Sequence, residues 1–210
     1  MPSPIPRPLH VLTLVSALAG ALAASASPAL SQLSTTRGWS FGAHLQGTSL
    51  TPEGGTNSSG GGLGIRAGYG FNRIVTGFVH VDGSQIDITE GGSIVGSWNL
   101  AHAELGARFH FANSLRRWVP YLETSVGARA VEVRDAEFAG ESAGNVTFNG
   151  GAFTVGTGLS TYFKPSLAFD VSLKWTGGKF TEIDLGDIVQ RNIDIDAASF
   201  RFGLGLIWWP

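Results

Sequence analysis

Apolar residues recur at every second position in eight segments of the chain, which is the period of a β-strand with two unlike faces. The segments read GWSFGAHLQG, GLGIRAGYGF, IVTGFVHVD, NLAHAELGARFHF, PYLETSVGARAV, GAFTVGTGLSTYF, LAFDVSLKW and SFRFGLGLIWW. In the third segment two apolar faces compete, and we predict that Val79 and Val81 point outward rather than Phe78. Each segment has about the 9–11 residues that a tilted transmembrane strand needs. The pattern therefore predicts eight strands and no helix.

The connections between these segments alternate in length. Asn72–Arg73, residues 112–118 and residues 164–166 form short turns. The other four connections are long, rich in glycine and mostly polar or acidic, and they cover residues 48–61, 83–97, 134–146 and 177–194. This interleaving predicts an up-and-down meander with all its long loops at one rim, as in outer-membrane barrels.

The composition of the two faces indicates which one meets lipid. The polar face is mostly Gly and Ser interspersed with charges of both signs, whereas the surface of a soluble barrel would be rich in Lys and Glu. The apolar face carries aromatic residues near the strand ends, as an aromatic girdle does, and these are Trp39, Tyr69, Phe71, Phe109, Phe153, Trp175 and Trp208. We therefore predict an all-β fold, an eight-stranded antiparallel transmembrane β-barrel with its polar face inside.

The inner face of this barrel is predicted to carry ionisable side chains. They are His44, Arg66, His102, Glu104, Arg108, Glu123, Arg129, Asp170, Lys174 and Arg201. Eight strands enclose a space that side chains can fill, and charges in such an interior are tolerated when they are paired. The favoured interpretation is a lumen plugged by a charge network. The alternative is a small ion-conducting pore whose ion pairs exchange partners.

The N-terminal residues are predicted to lie outside the barrel. Residues 1–31 combine a basic start, an apolar run too short to span a membrane and small residues, which is typical of a secretory signal peptide. Cleavage is expected after Ala26 or Ser31, and residues 32–210 are assigned to the barrel domain. A net charge of −2 argues against a nucleic-acid partner, and the absence of cysteine excludes disulfides and thiolate chemistry.

The C-terminal segment RFGLGLIW resembles the assembly signal of the small OmpA-like and OmpX-like outer-membrane β-barrels of Gram-negative bacteria. Arg201, Gly203, Leu206 and Trp208 fill the positions of that signal, although the chain continues with Trp209 and Pro210 where relatives commonly end on the aromatic residue. The resemblance extends from about Trp39 to the end of the chain. It implies a location in the cell outer membrane, recognition by the barrel-assembly machinery, contact with membrane lipid and lipopolysaccharide, and a monomer.

The same resemblance implies a structural or adhesion-like surface role without catalysis, cofactor or metal. Relatives that deacylate lipid A carry a His-x-Ser pair, and no histidine of this barrel is followed by serine at that spacing. His102, Glu104 and His110 lie along one strand face rather than around a point, which disfavours a metal site. We also expect a group of acidic loop residues, namely Asp82, Asp87, Glu90, Asp135, Glu137, Glu141, Glu182, Asp184 and Asp187. These are interpreted as solvated, with bridging to lipopolysaccharide through divalent cations as the alternative.

Overall fold

The computed structural model describes residues 36–52, 58–90, 93–111, 117–138, 141–184 and 189–210. Within these ranges the chain forms eight strands: β1 (Gly38–Pro52), β2 (Ser58–Gly70), β3 (Val75–Glu90), β4 (Ser93–His110), β5 (Trp118–Phe138), β6 (Glu141–Lys164), β7 (Leu167–Asp184) and β8 (Val189–Trp208). Each strand pairs antiparallel with its neighbours in sequence, and β8 pairs with β1 to close the barrel. The predicted fold is confirmed. The predicted signal peptide and its cleavage sites lie outside the described residues.

Burial alternates through the central part of the strands because successive side chains point to opposite faces of the sheet. On β8, Phe202 is 47% exposed whereas Arg201 is 1% exposed. On β3, Val79 and Val81 are exposed while Phe78 is buried, so the predicted faces of the third strand are confirmed. The exposed apolar side chains form a belt around the barrel, which includes Trp39, Phe41, Leu63, Ile65, Tyr69, Leu105, Phe109, Leu122, Val126, Phe153, Phe169, Leu173, Trp175, Phe202, Leu204 and Trp208.

The strands are longer than the sequence predicted, because they continue through most of the segments expected to be long loops. β6 has 24 residues and β5 has 21, about twice what a membrane-spanning strand needs. Seven of the residues predicted to be acidic loop residues lie in these extensions: Asp87, Glu90, Asp135, Glu137, Glu141, Glu182 and Asp184. The loop prediction was wrong for them, and Asp187 lies outside the described residues.

Beyond the belt, the polarity of the two faces reverses, and this explains how the extensions remain folded. Their inner face carries a cluster of buried apolar side chains that we call the upper core, comprising Leu50, Ile86, Leu100, Val131, Phe180 and Ala197. Their outer face carries exposed polar residues such as Gln85, Lys179 and Asp194. The extensions are therefore built like a water-soluble barrel, with an apolar interior and a polar surface.

The end of the barrel with the short turns is also closed by apolar side chains. This lower core comprises Val119, Tyr162, Ala168, Ile207 and Trp209. Trp209 is 3% exposed, and its backbone N–H donates to the carbonyl oxygen of Ser166 at 2.7 Å. The turn between β2 and β3 is held by Asn72, whose Oδ1 accepts the backbone N–H groups of Ile74 and Val75.

Among the described residues, no helix has the length and hydropathy required to cross a membrane.

Candidate functional site: the charged lumen

Between the upper and lower cores, polar side chains from all eight strands point into the lumen. One group, which we call the Arg201 cluster, comprises His80, Asp82, His102, Glu104 and Arg201. The Arg201 guanidinium donates to both Asp82 and Glu104. His102 Nδ1 lies 3.0 Å from Asp82 Oδ1, and His80 Nδ1 lies 3.3 Å from Glu104 Oε2. Arg201 also donates to two threonine hydroxyls, those of Thr176 at 2.6 Å and Thr154 at 3.2 Å.

A second group, the Glu123 cluster, comprises Arg66, Arg108, Glu123, Asp170 and Lys174. Three cations converge on Glu123, with Arg66 and Arg108 at 2.9 Å and Lys174 at 3.2 Å. Arg108 also reaches Asp170 at 3.1 Å. The remaining partners of Asp170 are the hydroxyls of Tyr121 at 2.8 Å and Ser160 at 2.6 Å.

His44 connects the two clusters. Its Nε2 lies 3.1 Å from Nε2 of His80, and the two imidazole rings stack with their centroids 4.9 Å apart. Three glycines leave room for this side chain, because a Cβ at Gly64 would lie 2.3 Å from His44 Nε2, and Gly203 and Gly205 also face it. The many inward glycines of the sequence therefore create space for long polar side chains.

The aromatic residues of the lumen stack on two of its cations. The guanidinium carbon of Arg66 lies 3.5 Å from the ring centroid of Phe78, and that of Arg108 lies 3.5 Å from the ring of Tyr121. Removing these charges from water is costly, and the ion pairs, hydrogen bonds and ring contacts together offset that cost. A side chain that left one of these ion pairs would leave its buried partner without that contact, which is costly.

Nine of the ten predicted lumen residues belong to these two clusters or to the histidine pair between them. Arg129 differs, because no ion pair holds its side chain among the described residues. It is buried at the level of the upper core, donates to the backbone oxygens of Ala197 and Gly178, and lies over the ring of Phe180. Its expected place in the charge network was wrong, since the strand carries it past the polar layer.

Sequence reasoning missed two members of the Arg201 cluster. Asp82 was expected to be a loop residue, yet it is 3% exposed and pairs with Arg201. His80 was not selected as a lumen residue. The signal was present, because placing Val79 and Val81 outward requires His80 and Asp82 to point inward.

The arrangement does not assemble a metal centre in the part of the chain that the structure describes. His110 lies eight residues along β4 from His102, about 27 Å away at the rise of an extended strand. There it contacts the Thr76 hydroxyl at 3.1 Å, near the lower core. A small cavity of about 20 Å³ lies beside the Glu123 cluster, and it has room for about one water.

Comparison with known proteins agrees with this architecture. A family model described as outer membrane protein beta-barrel domain matches residues 14–207. The chain belongs to this family. Its apolar belt therefore faces lipid, and the protein resides in the cell outer membrane. No curated protein sequence matches the chain.

Two solved structures of outer-membrane barrels are similar in fold. Neisserial surface protein A has a TM-score of 0.58 at 16% identity, and the match covers 81% of this chain and 96% of that one. Ail, the attachment invasion locus protein of Yersinia pestis, has a TM-score of 0.52 at 14% identity, with 82% and 99% covered. At these identities the likeness concerns the fold alone.

Proposed function

We propose that this protein is a closed outer-membrane barrel that acts through its surface rather than by conduction or catalysis. The observation that carries the proposal is that three layers of side chains fill the lumen in succession. The lower core, the two charged clusters and the upper core follow one another along the lumen, and the cavity at the Glu123 cluster has room for about one water. A continuous water path would require the apolar layers to separate as well as the ion pairs to exchange.

The surface role is supported by the strand extensions. The hairpin of β5 and β6 continues well beyond the belt, and the described side chains on its outer face include Glu132, Thr147 and Asn149. We propose that these hairpins present a rigid surface to the outside of the cell, in contact with lipopolysaccharide at its base. The barrel is proposed to be a monomer inserted by the barrel-assembly machinery, with Arg201, Gly203, Leu206 and Trp208 as its assembly signal.

The charge of this surface argues against a polyanionic partner. Ail has been solved with the heparin analogue sucrose octasulfate. In this chain, the described basic side chains of the β7–β8 extension are already paired, Lys179 with Asp194 and Arg191 with Glu182. We therefore expect bacteria that display this protein to bind heparin-coated beads no better than bacteria that lack it. Clearly stronger binding to heparin would contradict this part of the proposal.

Planar-bilayer recording tests the closed lumen. We expect the purified protein to show no steady conductance. The alternative, a small pore gated by ion pairs, predicts steady current that changes in Glu123→Gln, because that substitution removes the carboxylate shared by three cations. Lys179→Gln, which changes an exposed ion pair, is the matched control. Current altered by the lumen variant alone would replace the closed-barrel proposal with the pore.

A further inference from the structure

The Glu123 cluster holds more positive than negative charge. It contains three cations, Arg66, Arg108 and Lys174, and two carboxylates, Glu123 and Asp170. The Arg201 cluster has the opposite imbalance, one guanidinium against two carboxylates, so the lumen as a whole is nearly balanced while each layer is not. An anion in contact with Arg66, Arg108 and Lys174 is attracted to these cations more strongly than it is repelled by the carboxylates of the Arg201 cluster, which do not line the cavity, because Coulomb energy falls with distance.

The small cavity lies beside the Glu123 cluster, which has the excess of positive charge. The polar side chains that line it are His44, Arg66, Arg108, Asp170, Ser172 and Lys174. Gly42 and Gly205 form part of its wall. The cavity has room for about one water, which is on the scale of a single small inorganic anion.

The lining offers donors in excess of acceptors. The Arg66 side chain is 9% exposed, and its buried Nη2 has no hydrogen-bond partner among the described residues. The carboxylate of Asp170 accepts from Arg108, Tyr121 and Ser160, which uses three of its about four acceptor sites. A water in the cavity would need acceptors for its own two hydrogens, whereas a halide only accepts. An unpartnered buried guanidinium N–H is costly, and a charged acceptor gives the strongest hydrogen bond to it.

We propose that this cavity is a binding site for one small inorganic anion, with chloride as its occupant. The ion accepts hydrogen bonds from Arg66 and from its cationic neighbours, and it neutralises the excess charge of the Glu123 cluster. The inference goes beyond the surface role proposed above, since the ion would be a structural component of the barrel interior.

The direct test uses bromide, which scatters X-rays anomalously and replaces chloride. Protein purified from outer membranes is crystallised with sodium bromide, and an anomalous difference peak is expected in the cavity beside Arg66 Nη2. Ser172→Asp, which places a carboxylate at the cavity wall, should remove the peak because the side chain supplies the negative charge. Arg129→Met, at a buried arginine outside the cavity, should retain it. A cavity without a peak in the wild type, or a peak that persists in Ser172→Asp, would overturn the proposal.

Stability in solution gives a second measurement. At constant ionic strength, replacing gluconate with chloride at ten times its dissociation constant should raise the folding equilibrium constant about tenfold. The increase should be absent in Ser172→Asp and in Arg66→Met, and present in Arg129→Met. Equal stability of the wild type in chloride and gluconate would show that the cavity does not bind the ion.

Discussion

At the scale of single residues, we expect Asp82 to contribute more to the free energy of unfolding than a loop residue would. It accepts from Arg201, His102 and Gln46 in a fully enclosed position. Removing one partner of a buried ion pair costs about 3–5 kcal/mol, because the other charge remains buried. We therefore expect Asp82→Asn to lower the free energy of unfolding by about this amount in urea titrations monitored by tryptophan fluorescence.

Asp196→Asn is the matched control for this prediction, because Asp196 is an exposed partner of Lys179 at 3.9 Å. An exposed pair contributes about 0–1 kcal/mol. If the two variants were equally stable, Asp82 would not be the buried charge partner that the structure describes.

The two faces of β8 provide a second prediction at this scale. Phe202 faces lipid while Arg201 faces the network, and a cation can be placed at either position by Phe202→Arg or Arg201→Lys. Phe202→Arg should cost about 2–4 kcal/mol, since it places a charge on the lipid face. Arg201→Lys keeps the charge and loses mainly the forked geometry that reaches two carboxylates, so it should assemble better.

The measurement is the folded fraction in outer membranes, read from the heat-dependent shift of the barrel on gels. Assembly of Phe202→Arg at the wild-type level would mean that the faces of β8 are reversed.

At the scale of elements, the extensions distinguish the structure from the sequence prediction. Residues 177–194 were expected to form a loop, in which trypsin would cut after Lys179 and Arg191. The structure instead pairs Lys179 with Asp196 and Glu182 with Arg191 across the β7–β8 ladder. We expect the bond after Lys179 in the folded protein to resist trypsin in detergent micelles, and to be cleaved once the protein is unfolded by heat. Mass spectrometry of the fragments identifies the cuts, and rapid cleavage after Lys179 in the folded protein would favour a loop.

At the scale of the whole molecule, the two C-terminal tryptophans allow assembly of the barrel and packing of the lower core to be tested separately. Trp208 is 50% exposed on the lipid face, whereas Trp209 is buried in the lower core. We expect Trp208→Ala to slow assembly, because it removes the aromatic residue of the proposed assembly signal and a membrane-interface contact. Trp209→Ala should assemble at the wild-type rate and unfold more easily, by about 3–5 kcal/mol, since it leaves a cavity in the lower core.

Pulse-chase labelling of the heat-modifiable form measures the rate of assembly, and urea titration measures stability. Equal assembly rates for Trp208→Ala and the wild type would remove Trp208 from the signal.

The sequence by itself determined the number of strands, their antiparallel order and the orientation of most of their side chains. These properties are local, because an extended chain turns each successive side chain to the opposite face and a two-residue connection such as Asn72–Arg73 leaves only an antiparallel partner. The same local rule places Arg66, Glu104 and Arg201 inside. It also places Asp82 inside, once the valines of β3 are assigned outward.

Only the tertiary structure decided which charges pair and at which level of the barrel the outer face changes from apolar to polar. Arg201 pairs with Asp82 across 119 positions of sequence, and this contact depends on the register of every intervening strand and on closure of β8 against β1. The upper core likewise contains residues from strands that are distant in sequence. The apolar residues of the predicted loops therefore pack against each other only in the closed barrel. Alternation within one strand specifies a face, whereas pairing across a closed barrel is a property of all eight strands at once.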